Sequence, residues 1–351
     1  MSTTRTILYI CATVLLLGGS EAFTAPPSSN IRSSLVSSTA CNVVAEAVSP
    51  LYASNANELL PMRRGSSVAF ITPFTQDNKI HESEIRQLIR WHVESGTDNL
   101  CLLGTTAEAA CLTMEERARI ITIGVEEAKG KVPLLIGTGT INPVHVKEMT
   151  MQAKDLGADA ALVVAPYYVK PPQRCLVQHM IDAADWDLLP IVMYNIPGRS
   201  VVDMTDESLA QCAEHPNIVG LKDATGDLSR VQRFRQLHSD PNFLLYSGDD
   251  STSCEFINQG GDGCISVTAN IVPDRMHEIM TLQERSQATA LDAPLQQLHA
   301  DLFSDANPMP AKWVMEQMGL LSSAQCRKPL DRMDAALEPA LRQAMQNAQL
   351  L

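Results

Sequence analysis

The sequence predicts an α/β fold: a (β/α)8 TIM barrel with a small C-terminal helical appendage. Three observations carry that expectation. From Ser66 onward, short apolar runs alternate with segments of helical periodicity, and the alternation occurs eight times. The connections are short, and short crossovers between strand and helix imply a parallel sheet. Eight such units are what a closed barrel requires, whereas an open doubly wound sheet more often has about five to seven strands. No G-x-G-x-x-G follows the first apolar run, so a dinucleotide-binding fold has no support.

The elements follow in order. The first strand is expected over 67–72 and its helix over 81–95, with Ile85, Leu88, Ile89 and Val93 on one side. The second strand covers 99–103. Its helix, 113–129, opens with Thr113 and carries Glu116 three residues on, the pattern of a capping box. Residues 132–136 and 142–156 form the third unit, with Pro143 in the first turn of the helix. The fourth unit joins 159–164 to 173–184, and the fifth joins 189–194 to a helix near 206–213. In the sixth, His215-Pro216 and Gly226 bound a run of Ile218, Val219 and Leu221. A run of that kind reads as a strand buried on both faces, and here it delivers Lys222 to the strand's C-terminal end. A helix over 228–237 follows. Residues 243–246 and 251–258 make the seventh unit, and 263–267 with a helix from near Pro273 the eighth. The catalytic barrel is thus read as 60–287. Residues 288–351 are read as two or three further helices, for example over 311–318 and 332–348.

The first 59 residues are read apart from the barrel. Arg5 precedes an apolar run from Ile7 to Gly19, short for a bilayer span and of the form of a signal-peptide core, so 1–22 is expected to be a signal peptide. Residues 23–59 follow as a transit-like, disordered leader, Ser-, Thr- and Ala-rich, holding Arg32 and no acidic residue as far as Ala45. The order of the two parts, joined by Ala22-Phe-Thr-Ala-Pro26, resembles the bipartite leader of algae with secondary plastids. It implies delivery to the plastid stroma. The other reading is an ordinary secretory signal with a linker.

Composition narrows the partners. A formal charge of -13 and a pI near 5.0 disfavour nucleic acid or an anionic membrane as the main partner of the mature chain. Nine cysteines are present without a C-x-x-C pair. Cys101, Cys111, Cys175, Cys212, Cys254 and Cys264 are scattered through the expected elements. That pattern suits reduced thiols in a reducing compartment better than a disulfide framework or a zinc site.

Chemistry in such a barrel gathers where strands run into the following loops. Those positions hold Thr72-Pro-Phe74, Gly104-Thr-Thr-Ala-Glu108, Gly137-Thr-Gly139 and Pro166-Tyr-Tyr168. They continue with Tyr194-Asn-Ile-Pro-Gly-Arg199, Lys222, Ser247-Gly-Asp-Asp250 and Ile265-Ser-Val-Thr268. The set is rich in hydroxyls and contains one lysine, one arginine and no histidine. A metal-dependent aldolase would want His and carboxylate ligands at this face, and Asp249 with Asp250 is too few; one of the two is expected to cap a helix. No metal or cofactor is expected. What the set suits is a lysine amine attacking a carbonyl, with hydroxyls to move protons and a guanidinium for a carboxylate. Each member also has a plain structural role open to it: a lysine that snorkels to water, threonines that cap a turn, tyrosines that pack at an interface.

Six ordered motifs carry a resemblance: Gly104-Thr-Thr-x-Glu108, Pro166-Tyr-Tyr168, Tyr194-Asn-x-Pro-Gly-Arg199, Gly220-x-Lys-x-Ala-Thr-Gly226, Ser247-Gly-Asp-Asp250 and Ile265-Ser-Val-Thr-Ala-Asn270. From about Arg64 through Trp313 and beyond, the chain resembles the dihydrodipicolinate synthase family, within the class I Schiff-base aldolases that also include N-acetylneuraminate lyase. The resemblance implies that Lys222 forms an imine with pyruvate, whose enamine attacks L-aspartate semialdehyde in the diaminopimelate route to lysine. It implies a proton relay of Tyr194, Thr105 and Tyr168, the last reaching into a neighbouring subunit. Thr106 would bind the pyruvate carboxylate and Arg199 the carboxylate of the second substrate. Gly248, Asp249 and the Ile265 carbonyl would line the pocket. A homotetramer built as a dimer of dimers is implied as well.

Three departures from the family pattern stand out. Ala107 replaces the usual glycine of the Gly-Thr-Thr-Gly-Glu turn, which costs about a kcal/mol if that position needs a positive φ. Val201 replaces a frequent glycine just past Arg199. In lysine-inhibited members the feedback pocket uses an Asn and a Glu after the third strand. Ile141 and His145 stand at those positions, so weak or absent inhibition by lysine is expected. Two other readings stay open: another pyruvate-dependent aldolase on this scaffold, acting on N-acetylneuraminate or a 2-keto-3-deoxy sugar acid, and a catalytically silent binding relative. Arg199 is the feature that favours aspartate semialdehyde over a polyol substrate.

Overall fold

Residues 61–351 are described by the computed structural model, so the expected signal peptide and leader lie outside the described residues. Eight strands form the inner wall: β1 (Gly65–Ala69), β2 (Asn99–Leu102), β3 (Leu134–Gly137), β4 (Ala160–Val164), β5 (Ile191–Asn195), β6 (Ile218–Asp223), β7 (Leu244–Ser247) and β8 (Gly263–Ser266). All neighbours are parallel, and β1 pairs with both β2 and β8, which closes the barrel. The expected (β/α)8 architecture is present. Nearly every strand residue is buried, as parallel strands covered by helices on one side and packed core on the other must be.

The outer layer is α1 (Glu82–Glu94), α2 (Met114–Ala128), α3 (Pro143–Leu156), α4 (Gln173–Asp185), a single turn α5 (Pro197–Ser200), α6 (Asp206–Ala213), α7 (Ser229–Leu237), α8 (Asp250–Asn258) and α9 (Pro273–Thr281). Their starts are set by local chemistry. Thr113 accepts from the Glu116 N–H at 3.2 Å while the Glu116 carboxylate accepts from the Thr113 N–H at 3.0 Å, completing the expected capping box of α2. Asn142 caps α3, Pro143 occupies its first turn, and Gly157 at φ 98° ends it. Asp249 is the N-cap of α8, the role expected for one of the two adjacent aspartates.

Four helices complete the chain: α10 (Arg285–Asp292), α11 (Gln296–Asp301), α12 (Met309–Gln317) and α13 (Glu338–Asn347). They do more than sit below the barrel. Lys312 of α12 is fully buried, and its Nζ lies 2.6 Å from Glu108 Oε1 in the loop after β2, 4.3 Å from the centroid of Phe74. Glu108 Oε2 accepts from the Arg327 N–H at 2.7 Å, and the Arg327 guanidinium lies over the Phe74 ring, 4.5 Å from its centroid, and pairs with Glu116. The C-terminal region is therefore fastened to the loop after β2 by a buried ion pair. Burial lowers the Lys312 pKa, and the Glu108 carboxylate opposes that shift.

The cysteines behave as packed thiols. The seven among the described residues are free; five are buried, and burial pushes Cys101 up to about 11 and Cys212 up to about 12. Among the described residues, no helix is long and apolar enough to cross a membrane, and no cluster of three or more His, Cys, Asp or Glu could hold a metal ion.

Candidate active site

Lys222 is the next-to-last residue of β6, between Tyr194 of β5 and Tyr246 of β7 in the strand register. It is 6 % exposed, and its Nζ lies 4.4 Å from the centroid of the Tyr194 ring. The chain places it inside the rim of the barrel, so the reading of a lysine that snorkels to water fails. Its neighbours are thiols and aromatic carbon: the Lys222 charge partly offsets the burial that raises Cys101 and Cys264. Gly248, after β7, makes room for it. A Cβ at Gly248 would stand 3.0 Å from Lys222 Cε, 2.7 Å from Ala224 Cβ and 3.2 Å from the Asp223 carbonyl. Only a glycine admits the lysine stem along that path.

A cavity of about 420 Å³ opens at this face. Thr105, Tyr194 and Arg199 border it together, with Glu108, Cys111 and Asn307. Lys222 and Thr106 are not on its lining; Tyr194 is the side chain that connects the cavity to the lysine. Thr105 opens a short 3-10 turn after β2 and is exposed, whereas its neighbour Thr106 is buried and accepts from Asn307 Nδ2 at 3.0 Å. Ile265 is buried in β8, and Asp249 faces Gly226 while capping α8. Tyr168 stands apart: it is 84 % exposed at φ 69° and does not border the cavity of its own chain. Tyr167 does, and its hydroxyl lies 3.3 Å from Thr140 Oγ1.

The loop that carries Arg199 is held from below. Asn195, the last residue of β5, donates through its side-chain amide to Asp203 at 2.7 Å and to Asp223 at 3.2 Å, and its side-chain oxygen Oδ1 accepts from the Met204 N–H at 3.1 Å. Arg230 of α7 donates to the Met204 carbonyl and to Asp203, with Asp223 3.7 Å away. Burial raises the Asp223 pKa, against the Thr225 hydrogen bond and the Arg230 charge. These groups fix both ends of the loop 196–204 while Arg199 itself stays exposed at the mouth.

The two glycine replacements come out differently. Ala107 lies in the 3-10 turn with an ordinary φ; the positive φ falls one residue later, at Glu108 (55°). Its methyl therefore carries no left-handed penalty. Val201 has φ 63° and is 60 % exposed, so the strain that a β-branched residue pays in that region sits just past Arg199. Asn307, Cys111 and the Asn195–Asp203–Arg230 group were not legible in the sequence. Asn307 is 201 residues from Thr106, and no spacing rule links them.

Comparison with known proteins gives a consistent picture. The model of the dihydrodipicolinate synthetase family matches residues 62–348. The 4-hydroxy-tetrahydrodipicolinate synthase of Alcanivorax borkumensis is 44 % identical over 293 residues, 83 % of this chain and 99 % of that one. The enzyme of the same name from Methylococcus capsulatus is 42 % identical over 293 residues, 83 % of this chain and all of that one. Among solved structures, the chloride-inhibited dihydrodipicolinate synthase from Acinetobacter baumannii complexed with pyruvate matches with a TM-score of 0.80 at 40 % identity, covering 82 % of this chain and 99 % of that one. The synthase from Cyanidioschyzon merolae with lysine bound matches at 0.79 and 33 %, covering 83 % and 100 %.

Proposed function

The chain belongs to the dihydrodipicolinate synthetase family, and on that premise we propose how its own residues carry out the reaction. It is a lyase of the aldolase type, the 4-hydroxy-tetrahydrodipicolinate synthase that condenses pyruvate with L-aspartate semialdehyde. The observation that carries the residue assignment is the buried Lys222 amine against the ring of Tyr194, a residue that borders the same cavity as Arg199.

Lys222 Nζ attacks the pyruvate ketone, and loss of water leaves a protonated imine. That imine is the electron sink: it accepts the electron pair when a methyl proton departs, and the resulting enamine attacks the aldehyde carbon. Tyr194 and Thr105, on one cavity, move the protons. Thr106 anchors the pyruvate carboxylate, and Arg199 meets the second substrate's carboxylate with its planar fork. Gly248, Asp249 and the Ile265 carbonyl shape the pocket, and no metal or cofactor is needed for these steps.

Tyr168 completes the relay from a neighbouring subunit. Its exposure supports this, as does that of its apolar chain neighbour Val169, at 58 %. That reading needs at least a second subunit, and the assembly proposed with it is a homotetramer arranged as a dimer of dimers. Residues 1–59 act as a bipartite leader to the plastid stroma, in keeping with a family match that begins at residue 62. A fluorescent fusion of 1–59 that enters the secretory route and leaves the cell would overturn that assignment. Ile141 and His145 are both exposed at the start of α3, and neither is a carboxylate for a lysine ammonium. Millimolar lysine should therefore inhibit turnover weakly or not at all.

The deciding experiment incubates the chain from residue 60 with pyruvate and L-aspartate semialdehyde. Consumption of the aldehyde, abolished in Lys222→Ala and collapsed in Arg199→Ala, is the expected result. A borohydride-trapped pyruvate adduct on Lys222 without consumption would keep the imine chemistry and remove the substrate assignment.

A further inference from the structure

Tyr194 and Lys222 stand opposite each other in the register of β5 and β6, and the next pair along is Asn195 with Asp223. Successive strand residues point to opposite faces of a sheet. Tyr194 and Lys222 meet inside the barrel, so Asn195 and Asp223 lie on the outer face of the same two strand ends. The loop that carries Arg199 starts and finishes at this outer pair. Its one-turn helix α5 is stiff within itself. Ser200 Oγ lies 2.9 Å from both the Ile196 and the Val202 carbonyl, and the Arg199 and Val201 N–H groups bond back to Ile196 and Pro197. Arg199 is exposed, so its own packing does not place it. Val201 keeps a left-handed φ with its side chain in the open. A strained turn of that kind persists only where the surrounding structure over-determines it. Its base must supply the hold.

One guanidinium spans that base. Arg230 of α7 is buried, and its Nη1 donates to the Met204 carbonyl at 2.9 Å while lying 3.7 Å from Asp223 Oδ1. Its Nη2 donates to Asp203 Oδ2 at 3.0 Å, and its Nε lies 3.2 Å from Asp206 Oδ1. Asp203 and Met204 close the Arg199 loop, Asp206 opens α6, and Asp223 follows Lys222 in the chain. A planar fork can serve several such acceptors at once, whereas an ammonium is a point charge. Asn195 crosses the same gap through its side-chain amide, to Asp203 and to Asp223. Gln173 of α4 adds a bond to the Asp203 carbonyl at 2.7 Å. Of these three side chains, Arg230 is the one that comes from the helix after β6, the strand that holds Lys222.

We propose that Arg230, outside the barrel wall, is a positioning residue for the second substrate: it fixes where Arg199 stands relative to Lys222. This rests on the roles proposed above for those two residues. In L-aspartate semialdehyde two carbons separate the carboxylate carbon from the aldehyde carbon. A shift of the Arg199 loop against the end of β6 therefore carries the aldehyde away from the enamine on Lys222 by a similar amount. A misplacement of about 1 Å costs roughly 10²-fold in rate, even when the change that causes it lies far from the chemistry. Pyruvate is held by Lys222 and Thr106 and does not depend on this loop.

The two stages of the reaction separate the readouts. With imine formation preceding attack on the aldehyde, kcat/KM for pyruvate reports the first stage and kcat/KM for L-aspartate semialdehyde the second. Arg230→Lys keeps a cation and loses the fork. Asp203→Ala removes the half-exposed carboxylate of the loop and leaves the buried part of the cluster in place, so it decides the matter should the first variant fail to fold. In the active assembly we expect kcat/KM for the aldehyde to fall about tenfold or more in both variants, with kcat/KM for pyruvate and borohydride trapping on Lys222 within about twofold of wild type. Losses shared equally between the two substrates would overturn the proposal and leave Arg230 as a support for the barrel only. Unchanged aldehyde kinetics in the folded variants would overturn it as well. A wild type that does not consume L-aspartate semialdehyde would instead refute the underlying reaction.

Discussion

Gly248→Ala tests the idea that Lys222 works because its stem is held in one narrow place beneath the Tyr194 ring. The new Cβ would lie 3.0 Å from Lys222 Cε and 2.7 Å from Ala224 Cβ. Carbon atoms in contact prefer about 3.5–4.0 Å, so the lysine tip must retreat by about 0.5–1 Å. The opposite side offers no slack, since the Asp223 carbonyl, itself accepting from the Gly248 N–H, is 3.2 Å from the same Cβ. Overpacking of this kind costs about 1–3 kcal/mol, too little to unfold a barrel of this size. The effect on chemistry is larger, because a misplacement of about 1 Å at a reacting group costs roughly 10²-fold. The assay is steady-state turnover together with the rate of borohydride-dependent pyruvate trapping on Lys222, with thermal unfolding as the fold control. Gly198→Ala, on the same rim, is the matched comparison, since its Cβ would meet nothing within 4 Å. We expect Gly248→Ala to lose about 10- to 100-fold in kcat/KM and in trapping rate, and Gly198→Ala to keep both. Wild-type rates in a folded Gly248→Ala protein would show that the amine does not depend on this packing.

Lys312→Met removes one half of the dry pair with Glu108 and should cost about 3–5 kcal/mol, whereas adding Glu108→Gln should restore part of the loss; denaturant unfolding of the two variants decides it. Val201→Gly should raise stability by about 0.5–1 kcal/mol, the relief of a left-handed β-branched residue less the entropy that glycine returns to the unfolded chain. Calorimetry would read this as a Tm increase of a degree or two, and a decrease would place the strain elsewhere. Glu127 is held down to about 2 by hydrogen bonds from Arg90 and Arg86, so its stabilisation is full above the ordinary carboxylate pKa and is lost as pH falls toward 2. Glu127→Gln should therefore be less stable than the wild type at pH 7, with the gap closing in acid; a gap independent of pH would contradict the linkage.

Much of this protein is determined locally. Buried parallel strands write themselves as apolar runs, and helices announce their starts, as Thr113-x-x-Glu116 and Asn142-Pro143 do. Because a barrel places every strand end on one face, reading strand ends in order was enough to assemble Thr105, Tyr194, Arg199 and Lys222 as a single candidate group. Three of these, Thr105, Tyr194 and Arg199, border one cavity, with Lys222 against the Tyr194 ring.

What the tertiary structure decided lies where distant segments meet. The left-handed backbone fell on Glu108 and Val201 and spared Ala107, because the turn after β2 is shaped by its contacts with Lys312 and Arg327, more than 200 residues away. The segment around α12 proved to be part of the rim, since a buried ion pair from Lys312 and the Asn307 amide reach it from a region that periodicity alone places outside. Hydrophobic periodicity reports which face of an element is buried. It does not report which remote polar atom will stand opposite, and that is why Lys222 could be found from the sequence and Asn307 could not.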